Sequence, residues 1–261
     1  MKIKIYQIDA FTDRVFGGNP AAVCPLDSWL PDGLMQQIAM ENNLAETSFF
    51  VRNEDRFDIR WFTPEVEVDL CGHATLATAF VLFHLHHFAG SIIELNSRSG
   101  LLRVLKNGEF LTLDFPSDVP LKATAPTELI EGMGLKPLET YKGKTDYMLV
   151  YSSPEAIESL KPDMAKIAMT DARGVIATAP GREVDFVSRF FAPQSGITED
   201  PVTGSAHTTL TPYWAARLGK TDLSAMQLSK RRGRLQCRLA GDRVEISGQA
   251  RAYMVGELEI D

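Results

Sequence analysis

The sequence predicts a two-lobed protein of mixed strands and helices, built by duplicating one unit. Three observations predict it. Short runs with apolar residues at every second position read as half-buried strands. Two segments with apolar residues at helical spacing interrupt them. A set of landmarks in the first half returns, in the same order, about 130 residues later.

The strands come first. Lys2 to Ile8, Phe57 to Phe62, Leu101 to Lys106 and Glu109 to Phe115 all alternate. In Phe57-Asp58-Ile59-Arg60-Trp61 every second side chain is apolar, which turns one face to a core. Two helices are expected. Leu34, Ile38 and Ala39 share a face in the first, which ends at Asn42-Asn43; Leu76, Ala79, Phe80 and Phe83 share a face in the second. Between Ser117 and Thr145 the pattern lapses. Pro116, Pro120, Pro126 and Pro137 punctuate this stretch with Gly132, Gly134 and Gly143, so it reads as a connector with one short helix around Thr127 to Glu131.

The landmarks then return. Ile38-Ala39-Met40 reappears as Ile167-Ala168-Met169, and Trp61-Phe62-Thr63-Pro64 as Phe190-Phe191-Ala192-Pro193, both 129 residues on. Gly72-His73-Ala74 matches Gly204-Ser205-Ala206, and the glycine pair Gly100 and Gly108 matches Gly233 and Gly241. Each match alone is weak, since any two lobes of strands and helices share such punctuation. A constant order with only a few residues of drift favours duplication. The expected division is residues 1–116 and 117–261, with a last strand at about 251–261 crossing back to the first lobe. A cleft between two such lobes is a preferred place for a small-ligand site.

Bulk properties narrow the function. The 261 residues carry 27 basic and 34 acidic side chains, for a net charge of -7. The densest basic cluster, Lys230-Arg231-Arg232-Gly233-Arg234, is too short for a polyanion-binding stripe, so no nucleic-acid partner is expected. No stretch of about 18 apolar residues suits a membrane span. Met1-Lys2-Ile3-Lys4-Ile5 alternates like a strand and lacks the apolar core of a signal peptide. Cys24, Cys71 and Cys237 are odd in number, far apart and without zinc spacing. A reducing, cytoplasmic setting is expected. Gly17-Gly18-Asn19 lacks the following Gly-Lys-Ser/Thr of a phosphate loop. His84-Leu85-His86-His87 is the nearest thing to a metal motif. It sits at the end of a predicted helix, where histidine suits the C-terminal dipole, and no metal is expected.

In each half a strand ends in an aromatic-Xaa-Pro step, and a loop then enters a helix through glycine. The first entrance is Cys71-Gly72-His73-Ala74-Thr75; the second is Glu199-Asp200-Pro201-Val202-Thr203-Gly204-Ser205-Ala206. Glycine lets a ligand approach the backbone. The first turn of a helix offers unpaired N–H groups and partial positive charge, which suit a carboxylate. Neither loop contains a basic residue, so an anion site here would rest on helix N-termini rather than on Arg or Lys. Each side chain also has a bland reading. His73 is a cap or core histidine, Asp200 an N-cap, Ser205 a first-turn hydroxyl, and Glu46 a solvated acid before a strand.

Three blocks together resemble the signatures of the phenazine-biosynthesis PhzF-like family. They are Asn43-Leu44-Ala45-Glu46-Thr47-Ser48-Phe49, Cys71-Gly72-His73-Ala74-Thr75, and Glu199 through Ala206. The opening Asp9-Ala10-Phe11-Thr12 with Phe16-Gly17-Gly18-Asn19-Pro20-Ala21-Ala22-Val23 is similar to that family's N-terminus. The resemblance implies an α+β fold like diaminopimelate epimerase: two pseudo-symmetric lobes, each a curved, mostly antiparallel sheet around a central helix. It implies a catalytic set of Glu46, His73, Asp200 and Ser205. Gly72, Gly204, Asn19 and Thr203 are the implied substrate-binding residues, with Gly72 and Gly204 as backbone donors. It also implies a homodimer.

The implied chemistry is a proton moved on carbon in a small carboxylate-bearing molecule, without metal or organic cofactor. Such a step needs one group that takes the proton and one that returns it. A carboxylate screened from water can do both; the resemblance makes Glu46 that group. His73 and Asp200 would position polar substituents or relay a proton. The epimerase relatives use two cysteines as paired acid and base. Cys71 looks like one half of such a pair, but Asp200-Pro201 stands where the other would be, so a two-thiol racemase is not expected. Two alternatives stay open: an epimerase of an amino acid or related acid, and a non-catalytic binding protein on the same scaffold.

Overall fold

The computed structural model describes residues 1–260 and divides into two compact units, one of residues 1–114 with the chain from 247 onward, the other of residues 115–246.

The first unit contains β1 (Lys2–Ala10), β2 (Asn19–Leu26), α1 (Asp32–Asn42), β3 (Glu46–Asn53), β4 (Arg56–Phe62), β5 (Glu67–Val68), α2 (Gly72–Phe80), β6 (Ile92–Ser97), β7 (Gly100–Asn107) and β8 (Phe110–Pro116). The chain's last strand, Ala250–Glu259, pairs antiparallel with β1, which pairs antiparallel with β2. β2 and β3 run parallel, β3 and β4 antiparallel, β4 and β6 parallel, and β6, β7 and β8 antiparallel in turn. Met35, Ile38 and Ala39 of α1 pack on Ile3, Ile5, Ala22, Cys24, Phe49 and Phe62 of the strands.

α2 is a different kind of helix. Every residue from His73 to Ala79 is buried, because this segment is small or apolar on all sides rather than along one stripe. Its alanines and threonines let strands approach closely. The two threonine hydroxyls are satisfied within the helix: Thr75 donates to the Cys71 carbonyl at 2.5 Å and Thr78 to that of Ala74 at 2.8 Å. Leu76 is fully buried; truncation to alanine would cost about 2–5 kcal/mol. The expected helix through Phe83 does not stay α-helical. Residues Val81–Leu85 form a π-helical turn, and His84 stacks on Phe80 with ring centroids 4.8 Å apart.

The second unit contains β9 (Leu121–Lys122), α3 (Thr127–Met133), β10 (Glu139–Lys142), β11 (Asp146–Val150), α4 (Pro154–Ser159), α5 (Met164–Ile167), β12 (Gly174–Pro180), β13 (Phe186–Phe191), α6 (Gly204–Leu218), β14 (Asp222–Gln227), β15 (Gly233–Ala240) and β16 (Arg243–Gly248). β11 and β12 run parallel, β12 and β13 antiparallel, β13 and β14 parallel, and β14 and β15 antiparallel. This alternation repeats that of β2, β3, β4, β6 and β7 in the first unit. The sequence landmarks therefore fall on equivalent elements: Trp61-Phe62 ends β4 as Phe190-Phe191 ends β13, and Gly72 opens α2 as Gly204 opens α6.

The segment expected to be an irregular connector holds α3 and two short paired strands, β9 and β10. Runs of two and four residues are too short for alternation to show. α6 carries Pro212 in its interior, and this residue has no N–H to give the Thr208 carbonyl. Asp118 supplies the missing donor, its amide lying 3.1 Å from the Thr208 oxygen. Asp118 also accepts from the Thr209 hydroxyl at 2.9 Å.

Candidate active site

The first unit's site begins with backbone geometry near the N-terminus. Phe11, Phe16 and Gly18 all take positive φ angles. At Gly18 (φ 59°) a Cβ would strike the Ala10 carbonyl oxygen, so glycine is required there. The Phe16 amide donates to the Asp9 carboxylate at 2.8 Å. This turn brings Asn19 opposite Ala10 in the β1–β2 pair and buries it completely.

Asn19 then meets α2. Its Nδ2 lies 3.2 Å from His73 Nδ1, and Cys71 Sγ lies 3.5 Å from the same nitrogen. The other ring nitrogen, Nε2, lies 3.0 Å from Glu46 Oε2 at the start of β3. Distance alone makes this an ion-pair contact; the two atoms are not aligned as a hydrogen bond. In the neutral ring, with Asn19 and Cys71 as donors, Nδ1 is the acceptor and Nε2 carries the proton that faces Glu46; in the charged ring both nitrogens carry protons. Four sequence-nominated residues, Asn19, Glu46, Gly72 and His73, are thus local to one another.

The solvated reading of Glu46 and the capping reading of His73 do not describe this geometry, although His73 is buried as a core histidine would be. The Glu46 side chain is only 12% exposed. Cys71, not His73, is the N-cap of α2, and it makes no side-chain cap bond. Burial opposes a charge on His73, but negative charge on Cys71 when ionised and on Glu46 outweighs it. The ring's pKa is held well above the ordinary histidine value. The Cys71 thiol is itself pushed up to about 11, chiefly by burial. Near neutral pH it is uncharged, which leaves Glu46 as the anion beside the ring.

Glu46, Cys71 and His73 also bring ligand-type atoms within 4.8 Å of one another. His73 turns Nδ1 to Cys71 and Nε2 to Glu46. An ion here could take only one of these nitrogens, and both already face neighbouring side chains.

The second unit's loop is equally organised. Asp200 is 8% exposed and accepts from the Thr203 hydroxyl at 2.5 Å. Thr203 is the N-cap of α6, yet its hydroxyl is turned to Asp200 rather than to the helix. Asp200 therefore does not cap the helix as the plain sequence reading would have it. Gly204 is buried and Ser205 half-buried in the first turn. His207, one turn on, is fully buried, with Nδ1 2.8 Å from the Thr203 carbonyl oxygen. Burial pushes its pKa down to about 4.

Two residues that hold this loop carry no sequence signal. Gln227, at the end of β14, accepts from the Thr203 amide at 2.9 Å and donates to the Asp200 carbonyl at 2.7 Å. Arg173, just before β12, donates to Ser205 Oγ at 3.0 Å. The loop's own sequence lacks a basic residue, but the fold supplies one from 32 positions away.

Comparison with known proteins decides the family. The sequence pattern of the PhzC-PhzF family, described as phenazine biosynthesis-like protein, matches residues 8–256. The chain belongs to this family. It is 51% identical over 260 residues to an uncharacterized isomerase from Pseudomonas aeruginosa, covering 100% of both chains. Among solved structures it superposes on a phenazine biosynthesis protein of the PhzF family from Enterococcus faecalis with a TM-score of 0.97, 47% identity and full coverage of both chains. A hydroxyproline epimerase from Agrobacterium vitis, solved with bound trans-4-hydroxy-L-proline, has a TM-score of 0.64 at 10% identity, covering 98% of this chain and 92% of that one. That likeness is one of fold. The α+β architecture is thus shared by PhzF family proteins and by epimerase structures, and the family's named relatives include isomerases.

Proposed function

We propose that this PhzF family protein is a cofactor-independent isomerase that shifts a proton between carbons of a small, carboxylate-bearing, unsaturated substrate. The observation that carries the reading is the Glu46–His73 contact at 3.0 Å, almost closed to water and steadied behind the ring by Asn19.

Glu46 takes a proton from one carbon of the substrate, and the C–H electron pair spreads into the adjoining unsaturation. Glu46, now a carboxylic acid, returns the proton to another carbon, and a new C–H bond forms there. No electron is gained or lost, so no redox partner is needed. His73 holds its Nε2 proton beside the carboxylate and orients it. Such a positioned acid–base group is worth about 10²–10⁴-fold in rate. In the second unit, the Gly204 and Ser205 amides and the Ser205 hydroxyl hold the substrate carboxylate, while Asp200 and Thr203 accept or position its polar substituents. Gly72 serves as a further backbone donor.

An epimerase using Cys71 as base is disfavoured, because a thiol with its pKa near 11 is almost wholly protonated at neutral pH. The test is exchange with solvent. A panel of small unsaturated carboxylic acids is incubated with the enzyme in deuterated water and followed by proton NMR. Deuterium entering a new carbon position with migration of the double bond supports the reading. Exchange at a single stereocentre with inversion would replace it by the epimerase, and binding with no exchange by the non-catalytic alternative.

A further inference from the structure

Ser205 accepts its hydrogen bond from a guanidinium already committed to a buried carboxylate. Arg173 donates from Nε and Nη2 to the two oxygens of Asp146, at 3.0 and 2.5 Å. Asp146 opens β11 and is 2% exposed. The guanidinium carbon lies 5.5 Å from the centroid of the Phe190 ring, and the Arg173 amide donates to the Thr145 carbonyl at 2.9 Å. A paired carboxylate, an aromatic face and a fixed backbone leave the fork little freedom. The Arg173 side chain nonetheless keeps 41% of its surface exposed.

The consequence falls on one proton. A serine hydroxyl has a single proton and two lone pairs. When Oγ accepts from Arg173, its own proton must point elsewhere. Deeper in a helix that proton is taken by a carbonyl one turn back, as Thr211 gives its proton to His207 at 2.6 Å. Ser205 is the second residue of α6, and the residues three and four before it, Val202 and Pro201, lie outside the helix. Charge matters as well. Asp200 and Asp118 act on Arg173 along with Asp146, so the guanidinium offsets acidic groups that would otherwise repel an anion from this loop.

We propose that Arg173 is a positioning residue of the second signature loop, holding Ser205 Oγ as an acceptor so that the hydroxyl proton is turned to the substrate carboxylate. This rests on the reading of Ser205 as a substrate contact, and it names the device that makes the serine a donor.

A thiol placed at the same atom tests it without knowledge of the substrate. In the full chain, Ser205→Cys puts a titratable sulfur where Oγ stands, and Cys24, Cys71 and Cys237 are all buried. Alkylation of position 205 by iodoacetamide is followed by mass spectrometry against pH, with Arg173 intact and in the R173Q and R173K backgrounds. The thiol pKa is expected to rise by about one unit in R173Q, slowing alkylation near neutral pH about tenfold. In R173K a rise of roughly half that is expected, since lysine keeps the charge but loses the fork. An unchanged profile in R173Q overturns the proposal. Should R173Q fail to fold, an unchanged profile in R173K overturns it equally. Failure of every unsaturated acid to exchange deuterium would sink the isomerase reading and leave this titration intact, so the two ideas fail separately.

Discussion

His207 hydrogen-bonds the carbonyl oxygen of Thr203, the residue that starts its own helix, at 2.8 Å. With Nδ1 as the donor, Nε2 is left buried without a hydrogen-bond partner among the described residues. Protonating Nε2 would create a buried charge with no acceptor, which is why the pKa falls to about 4. The unfolded chain protonates this histidine at its ordinary value. Its neutral form therefore contributes stability that is complete above about pH 6.5 and is lost as pH falls toward 4. The loss is on the order of 3 kcal/mol. Urea midpoints measured from pH 7 to pH 4 should fall less steeply for His207→Asn than for wild type, and parallel curves would refute this. His73 has the opposite sign. Its raised pKa stabilises the fold fully below about 6.5 and less as pH rises through the folded value.

Glu46→Gln keeps the shape of the side chain and removes the base. Turnover in the deuterium assay should drop by about 10²-fold or more while thermal stability stays close to wild type. Activity within a few-fold of wild type would remove Glu46 from the role of proton carrier.

The three thiols are buried, and burial pushes Cys24 and Cys237 up to about 12 and Cys71 up to about 11. Native protein at pH 8 should therefore resist a thiol-specific disulfide reagent, with labelling appearing only as the chain unfolds. Because the folded values lie above the unfolded ones, this contribution to stability is complete below about pH 8.5. It fades as pH rises through 11 to 12. Cys71→Ser should retain turnover within a few-fold; a loss comparable to that of Glu46→Gln would restore the thiol to the chemistry.

Because His73 gives a different nitrogen to Glu46 and to Cys71, exhaustive chelation should leave activity unchanged. Loss of activity that added zinc restores would show that the trio rearranges around an ion.

Much of this was legible because the signature loops are contiguous. Glycine, a small or polar residue and a helix start occur together in both halves, and their repeat at near-constant spacing lies on equivalent elements, α2 and α6. The resemblance brought Glu46, His73, Asp200 and Ser205 to notice, but it did not say what holds them. Gln227 and Arg173 were invisible, because each reaches its loop from a distant strand end and looks locally like an ordinary polar residue. The π-helical turn after α2 was equally hidden, since the apolar spacing through Phe83 satisfies an α-helix just as well.

Pro212 leaves a socket in α6 that Asp118 fills, from 94 positions earlier in the chain. The middle of the second unit's central helix cannot complete its bonding by local winding alone. A peptide of residues 204–218 should therefore be weakly helical in isolation. Cooperativity between this helix and the segment around Asp118 is written into the backbone: the helix gains its last internal partner when that segment docks, and the two are expected to gain hydrogen-exchange protection together.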